Sequence, residues 1–460
     1  MKRFDAIIIG SGQGGTPLAK KLADAGYNTA LIERRWVGGT CVNDGCTPTK
    51  AMISSAKLAQ MITQSAALGI AISKSEVAIE AIVERTQKIV ESFRNGSEKQ
   101  LLSTKNLTLI YGDASFISQK ELSIKMNDGT IQEATAELIF IDTGTNPNVP
   151  DVDGLNHIPY LTSTSILNLK ELPEHLLIVG SGYVGLEFGQ MYSRFGSKVT
   201  ILERSERILK KEDEDIASEV SQIFREENIE IKLNTRPIKF TNIKNGIEVV
   251  IIHNGKEKTV FCSHVLLAAG RKPNSDGLHL HLAGIGTNVN GYITVDSHLE
   301  TNVKGTYAIG EVNGEPAFTH ISYNDYLITY NNLVRHQNQT TEHRLIPYCM
   351  YIDPQLARVG ITEQEANSKK LNVKIAKLPM AKVARAIETG ETRGLMKAVV
   401  DADSKKILGV AILGAEGGEI MSVLQMAMMG EVTFDKIRDG IFAHPTYAEA
   451  LNNLFATVTD

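Results

Sequence analysis

Cysteine is scarce: four in 460 residues, too few for a secreted disulfide scaffold. No apolar run approaches the roughly 20 residues of a membrane-spanning helix. The chain enters a strand-like run, Phe4-Asp5-Ala6-Ile7-Ile8-Ile9, at once, so nothing at its start reads as a signal peptide. Positive charge is not in excess. A net charge of −5 gives no electrostatic case for nucleic acid or an anionic membrane. These absences lead to the expectation of a cytoplasmic protein. Cys262 and Cys349 stand alone in strand-like surroundings and read as buried thiols.

What is present is ordinary for a globular chain, with 42% hydrophobic and 22% charged residues. The length suits about two to four domains. Two stretches share one plan. Ile7-Ile8-Ile9 runs into Gly10-Ser11-Gly12-Gln13-Gly14-Gly15, then a helical pattern, then a strand ending at Glu33. Leu176-Leu177-Ile178-Val179 runs into Gly180-Ser181-Gly182-Tyr183-Val184-Gly185, a helical pattern, and a strand ending at Glu203. Gly10 to Glu33 and Gly180 to Glu203 are each 23 positions apart. In such a unit the first glycine makes the tight turn and the second lets a pyrophosphate approach. The third lets helix pack on strand, and the acid binds ribose hydroxyls. The repetition predicts two dinucleotide sites.

Cys41 and Cys46 lie five positions apart ahead of a helix expected to be capped by Thr47, with Pro48 in its first position. Five residues of regular helix would rise about 7.5 Å. A disulfide wants Cα atoms about 5.5–6 Å apart. The turn must therefore be irregular, and Gly45 helps it bend. A helix N-terminus favours a Cys46 thiolate. Spacing alone leaves a redox dithiol and a pair of reduced structural thiols equally open. Residues from about 54 to 102 read as a helical hairpin with packing stripes only. Strands are expected at 107–111, 112–116, 121–124 and 138–142.

The segment Gly38-Gly39-Thr40-Cys41-Val42-Asn43-Asp44-Gly45-Cys46-Thr47-Pro48-Thr49-Lys50 resembles the active-site segment of the flavin-dependent pyridine-nucleotide disulfide oxidoreductases. That family includes dihydrolipoamide dehydrogenase, glutathione reductase and mercuric reductase. Asp44, Thr47 and Thr49 depart from the usual pattern. The Asp44 carboxylate either raises the thiol pKa values or faces solvent. The resemblance implies that Cys46 faces the flavin and Cys41 exchanges with substrate. It also implies a Lys50–Glu187 pair beside the flavin and Tyr183 as a gate over its nicotinamide face. Gly39, Thr40 and Ala114 fall with the flavin contacts. Thr143 and Gly144 match the segment that returns to the flavin, and Gly270 opens a similar one after the second unit. Thr306-Tyr307-Ala308-Ile309-Gly310-Glu311 matches the second flavin motif, whose last residue is normally Asp and holds the ribityl chain. Glu311 is one methylene longer. Thr319 begins the next helix, whose amides face the flavin, and His320 reads as structural.

Near the end, His444-Pro445-Thr446-Tyr447-Ala448-Glu449 matches the family's His-Pro-Thr-x-x-Glu. The resemblance gives His444 the task of moving protons at the dithiol of the other subunit, oriented by Glu449. Exchange near neutral pH needs such a group. The implied fold is α/β: two Rossmann-like domains, for FAD and NAD(P), and a C-terminal α+β dimerisation domain. The divisions expected are 1–149 and 275–345 for FAD, 150–274 for nicotinamide nucleotide and 346–460 for dimerisation. Glu203 predicts NAD(H), with Arg204 and Arg207 as the argument for NADP(H).

The implied activity carries electrons from NADH through FAD to a Cys41–Cys46 disulfide, then to a small disulfide or oxidant. In reverse it would oxidise a dithiol, as dihydrolipoamide dehydrogenase does. An obligate homodimer with shared active sites follows, with no nucleic acid, no membrane and no resident metal. The alternative within the family is a reductase of metal ions or small oxidants, like mercuric reductase. Asp353-Pro354-Gln355 has that flavour, but the tail to Asp460 holds no cysteine pair, and the expectation is of a chain without an N-terminal metal-binding domain. A flavin-binding redox sensor without turnover is the alternative of another class, motivated by Asp44 and Glu311.

Overall fold

The computed structural model describes residues 1–458; Thr459 and Asp460, the end of the cysteine-free tail, lie outside them. The first sheet is built around Lys2–Ile9, which pairs in parallel with Thr29–Glu33 on one side and Ile131–Ile141 on the other. Its inner residues are apolar on both faces because both are covered: Ala6 and Ile8 pack with Leu18, Leu22 and Tyr326 of helices, and Ile7 and Ile9 with Phe116, Leu122 and Leu280 on the other side. Leu107–Phe116 extends the sheet beyond Thr29–Glu33, and Thr306–Ala308 closes the far side. The chain thus leaves this sheet at Ile141 and returns to it after the second unit.

The two strands expected at 107–111 and 112–116 are one. Residues 107–111 pair in parallel with 29–33, and residues 112–116 pair antiparallel with Glu121–Met126. No turn intervenes. Gly112 sits at the changeover, where a Cβ would lie 2.8 Å from Lys125 O. The hairpin partner 131–141 is longer than the sequence suggested.

The second sheet is parallel, in the order Glu230–Lys232, Lys198–Leu202, His175–Val179, His264–Leu267, Tyr160–Thr162. A three-stranded meander, 235–262, flanks it. Thr145–Pro147 and Arg271–Pro273 pair as a two-stranded link between the units. A five-stranded antiparallel sheet, from Tyr348 to Gly414, forms the C-terminal part and packs on the helix Gly417–Met429. That helix buries Ile420, Met421 and Leu424, and leaves Met426 and Met429 exposed.

The expected continuous hairpin of helix is interrupted. Cys46–Gln64 and Ile79–Leu102 are helices, and a short 3₁₀ turn ends at Gly69, whose φ of +80° stops it. The first helix also begins two residues earlier than predicted. Gly45 is its cap, without a side-chain hydrogen bond, and Thr47 caps nothing. Pro48 still falls in the first turn, where backbone N–H groups have no helical partner. Cys262 is buried, whereas Cys349 is only half-buried. No described helix is long and apolar enough to cross a membrane.

Candidate active site

The two glycine turns share their geometry. Gly10 has φ +103° and Gly180 φ +107°, and a Cβ would strike Asp142 O at 2.3 Å or Ala268 O at 2.4 Å. Only glycine allows this turn. Gly15 and Gly185 are held by their own turns: a Cβ there would meet Gly10 O at 2.2 Å and Gly180 O at 2.0 Å. The middle glycines differ. A Cβ on Gly182 would meet open space, whereas one on Gly12 would sit 2.7 Å from Asp142 Oδ2. Val184 lies in the first turn of the helix Tyr183–Phe195.

Both acids repeat the same hydrogen bonds. Glu33 Oε2 accepts from Ser11 N (3.1 Å) and Oγ (2.6 Å), and Oε1 from Arg35 N (2.8 Å). Glu203 Oε2 accepts from Ser181 N (3.2 Å) and Oγ (2.5 Å), and Oε1 from Ser205 N (2.8 Å). Burial opposes ionisation of Glu203, but these donors outweigh it and hold its pKa below the usual value.

A cavity of about 800 Å³ runs from the first glycine turn to Cys41. Gly10, Gly12, Glu33, Gly39, Thr40, Ala114, Thr143, Gly144, Glu311 and Thr319 line it. Gly39 is packed so that a Cβ would lie 2.7 Å from Gly12 Cα. Beneath the turn, buried Asp142 Oδ2 accepts from Gly15 N at 2.7 Å. Burial pushes its pKa up to about 8, against the pull of that hydrogen bond. Gly310 N donates to Asp325 Oδ2 at 2.8 Å, and Arg344 neutralises Asp325 at 2.7 Å. The longer Glu311 carboxylate accepts from Thr145 Oγ1 and pairs with Arg271 Nε at 3.3 Å, while still lining the cavity. Gly270, at φ +97°, precedes that arginine. The size, the glycine-lined wall and the ribose-type acid fit an extended dinucleotide.

Cys41 sits on the short helix Gly39–Asn43 and Cys46 is the first residue of the next. The break falls at Asp44–Gly45. Both thiols are free. Cys46 Sγ lies 3.2 Å from Thr319 Oγ1. The Cys41 thiol donates to Cys46, so the Cys46 pKa falls to about 6 against the effect of burial, with help from Thr319 and the Lys50 charge. The donating Cys41 is pushed well above the ordinary thiol range by the same bond and by burial. The Asp44 carboxylate is mostly covered and pairs with Arg35.

Lys50 Nζ lies 2.8 Å from Glu187 Oε2 and 4.7 Å over the Tyr351 ring. Burial opposes the Lys50 charge, yet Glu187 holds its pKa above the usual value. Glu187 Oε1 accepts from Tyr351 N at 2.8 Å. Tyr183 stacks on Tyr348 (5.3 Å between centroids) and on Phe318 (6.1 Å). His320 accordingly stacks on Phe318 and bonds Pro347 O at 2.6 Å. At the other end of the chain, His444 Nδ1 bonds Glu449 Oε2 at 2.8 Å, with two-thirds of the His444 side chain exposed. Among the described residues Glu449 is the only hydrogen-bond partner of that imidazole.

Residues 4–325 match the pyridine nucleotide-disulphide oxidoreductase family model, and residues 346–455 match that family's dimerisation domain. The chain belongs to this family. A probable pyridine nucleotide-disulfide oxidoreductase, RclA of Escherichia coli, is 36% identical over 462 residues, covering all of both chains. Mercuric reductase of Lysinibacillus sphaericus is 32% identical, covering 97% of this chain and 81% of that one. Dihydrolipoyl dehydrogenase of Chlamydia muridarum is 32% identical, covering 97% and 95%. A Cu(II) complex of the HOCl-induced flavoprotein disulfide reductase RclA superposes with a TM-score of 0.92 at 35% identity, over the whole of both chains. The protein is accordingly an FAD-dependent NAD(P)H disulfide oxidoreductase with a homodimerisation domain.

Several contacts of this oxidoreductase escaped the sequence reading. Asp142 ends an apolar strand, a charged residue where the run 138–141 leads one to expect none. Arg271 follows Gly270 in the return segment and reaches Glu311. Arg94 and Tyr351 lie outside any quoted motif.

Proposed function

We propose that the protein carries reducing equivalents from NADH to a small disulfide, or to another small thiol-reactive oxidant, through Cys41 and Cys46. The observation that carries this reading is the free Cys41–Cys46 pair at the end of the dinucleotide cavity, with Cys41 on the cavity wall and Cys46 Sγ 3.2 Å from Thr319 Oγ1. In this reading residues 1–149 and 275–345 hold FAD, 150–274 the nicotinamide nucleotide, and 346–460 the dimer contact, in a cytoplasmic setting. Gly10, Gly12, Gly39 and Glu33 would hold the adenosine and pyrophosphate end of FAD, with Glu311 and Thr319 towards the other. Bound FAD supplies the two-electron exchange between nicotinamide and disulfide.

The chain's own residues do the rest. Glu203, with Ser181 and Ser205, presents a carboxylate that favours a ribose diol over a 2′-phosphate. Arg207 is turned away towards Lys210 O (3.0 Å) and Gln364 (3.4 Å), so it adds little to the case for NADP(H). Lys50 keeps positive charge beside Cys46. His444 of a second copy takes the Cys41 proton. The Cys41 thiolate attacks one sulfur of the substrate disulfide, a Cys41–substrate bond forms, and the first thiolate leaves with the proton from His444. Cys46 then attacks Cys41 Sγ, expels the second thiolate and closes the Cys41–Cys46 bond.

A second reading is a thiophilic metal ion as substrate. Mercuric reductases are among the relatives, and two solved RclA structures are Cu(II) complexes. The observation in its favour is two free thiols on adjoining helices, with the Cys46 pKa held below the ordinary thiol value. Among the described residues no cluster of three or more metal-ligating side chains exists to make such an ion resident. NADH oxidation by the holoenzyme, measured against lipoamide, glutathione disulfide, cystine, Hg(II) and Cu(II), separates the readings. Oxidation of one equivalent and no more, with every acceptor, would instead indicate a sensor without turnover.

A further inference from the structure

The loop between the two cysteines is gripped from outside. Trp36 is the chain's only tryptophan. Its ring lies between two guanidiniums, Arg35 at 4.5 Å and Arg94 at 4.2 Å from the centroid. Both arginines then reach into the loop. Arg35 pairs with Asp44, and Arg94 Nε donates to Asn43 Oδ1 at 2.8 Å. Asn43 Nδ2 is spent on Val37 O and Gly39 O, both at 3.0 Å. The loop is Val42-Asn43-Asp44-Gly45, so both of its polar side chains are anchored. Arg94 comes from the long helix Ile79–Leu102, which gives that helix a contact with the dithiol loop.

The geometry has two physical consequences. An anchored loop limits the positions Cys41 can take relative to Cys46, which raises the effective concentration of one thiol at the other. The guanidinium also neutralises a carboxylate two residues from Cys46, where an unpaired negative charge would oppose the thiolate. A planar guanidinium can stack on an indole and pair with a carboxylate at once, and a lysine cannot do both as well.

We propose that Arg35, Trp36 and Arg94 are positioning residues of the dithiol: they hold Asn43 and Asp44 so that Cys41 and Cys46 stay within disulfide reach, and they mask the Asp44 charge. This rests on Cys41 and Cys46 cycling between dithiol and disulfide. The measured step is exchange with oxidised dithiothreitol. The Cys41–Cys46 bond forms, the reagent's S–S bond breaks, and two electrons and two protons pass to the reagent.

The test equilibrates FAD-loaded protein with mixtures of reduced and oxidised dithiothreitol, quenches in acid, alkylates free thiols and counts them by mass. Arg35→Ala and Arg94→Ala are each expected to lower the equilibrium constant for disulfide formation about tenfold, a potential less negative by about 30 mV. A second measurement follows the pH midpoint of Cys46 alkylation in reduced protein. Arg35→Ala moves that midpoint up, and adding Asp44→Asn returns it, an outcome that a loosened fold would not give. Should Arg35→Ala fail to fold, Arg35→Lys carries the first arm. It keeps the charge and weakens the stacking, so the disulfide constant falls while the midpoint stays. Variants that match wild type in both measurements overturn the proposal. An upward midpoint that Asp44→Asn does not reverse overturns the charge-masking role. If wild type itself forms no Cys41–Cys46 disulfide in these mixtures, the proposed function falls, and the positioning role with it.

Discussion

Lys50 Nζ and Glu187 Oε2 meet at 2.8 Å across 137 positions of sequence, joining the dithiol helix to the helix of the second nucleotide unit. The pair acts on Cys46 with opposite signs: the Lys50 charge lowers its pKa and the Glu187 charge raises it. Lys50→Met should therefore move the Cys46 alkylation midpoint up, and Glu187→Gln should move it down. Glu187→Gln also leaves a mostly covered ammonium without its counter-charge. It is expected to cost about 1–3 kcal/mol of stability, read from denaturant midpoints. An unmoved midpoint in both variants would place this pair outside electrostatic reach of the thiol.

The depressed Cys46 pKa of about 6 sets a pH window. On that value the thiolate is the prevailing form at pH 7. In protein first reduced with dithiothreitol and freed of it, iodoacetamide should alkylate Cys46 with a rate that rises through a midpoint near pH 6. Thr319→Val removes a donor at 3.2 Å and should shift the curve to higher pH. A single wave at the ordinary thiol pKa would mean that the thiolate is not stabilised.

Asp142 makes the opposite prediction about stability. Its pKa in the fold, about 8, lies above the usual carboxylate value because it is buried. Between those two values the unfolded chain binds fewer protons than the fold, so this group's contribution falls as pH rises from about 4 to about 8. Asn keeps an acceptor for Gly15 N and carries no charge. Asp142→Asn should therefore lose less melting temperature than wild type between pH 5 and pH 8.5. A larger loss in the variant would contradict the raised pKa.

Much of this site was legible because its chemistry is local in sequence. The spacing from Gly10 to Glu33 reappears as three matching hydrogen bonds at Glu33 and Glu203, since a strand, a turn and a helix fix where each acid must fall. The pairing of His444 with Glu449 was expected from the resemblance to the family's His-Pro-Thr-x-x-Glu, and the two side chains do hydrogen-bond. What stayed hidden is long-range. Nothing near residue 44 announces that Arg35 will neutralise it, and nothing near residue 94 announces a hydrogen bond to Asn43. Helix ends were misplaced where tertiary contacts overrode local preference. Gly45 caps the dithiol helix with no side chain, so the polar residue two positions on, Thr47, misled. The single strand 107–116 was divided because its two halves serve different partners, which no periodicity records.

Glu203 should set the nucleotide preference. The ratio of kcat/KM for NADH to that for NADPH should exceed one in wild type. Glu203→Ala should reduce it by about tenfold, the equivalent of ~1.4 kcal/mol. The exposed Arg204 is then the side chain left to meet a 2′-phosphate. Glu203→Ala combined with Arg204→Ala should lower the NADPH term again. A wild-type preference for NADPH would show that Arg204 outweighs the carboxylate.

The His444–Glu449 pair is formed and exposed in the single chain, while the dithiol lies near the opposite end of the sequence. A histidine in this position can serve a dithiol on a second copy, and a homodimer makes both exchanges equivalent by symmetry. Cys41→Ala removes the exchanging thiol and His444→Ala removes the proton carrier. Each homodimer should be inactive in disulfide turnover, or nearly so. In a mixed dimer one site contains both defects and the other contains neither. Subunits exchanged under mild denaturant and then refolded together should recover activity, approaching half the wild-type value per mixed dimer. Differently tagged subunits allow the mixed species to be purified before assay. Mixed dimers that form and remain inactive would mean that each His444 serves its own chain's Cys41, and the crossed arrangement would then be wrong.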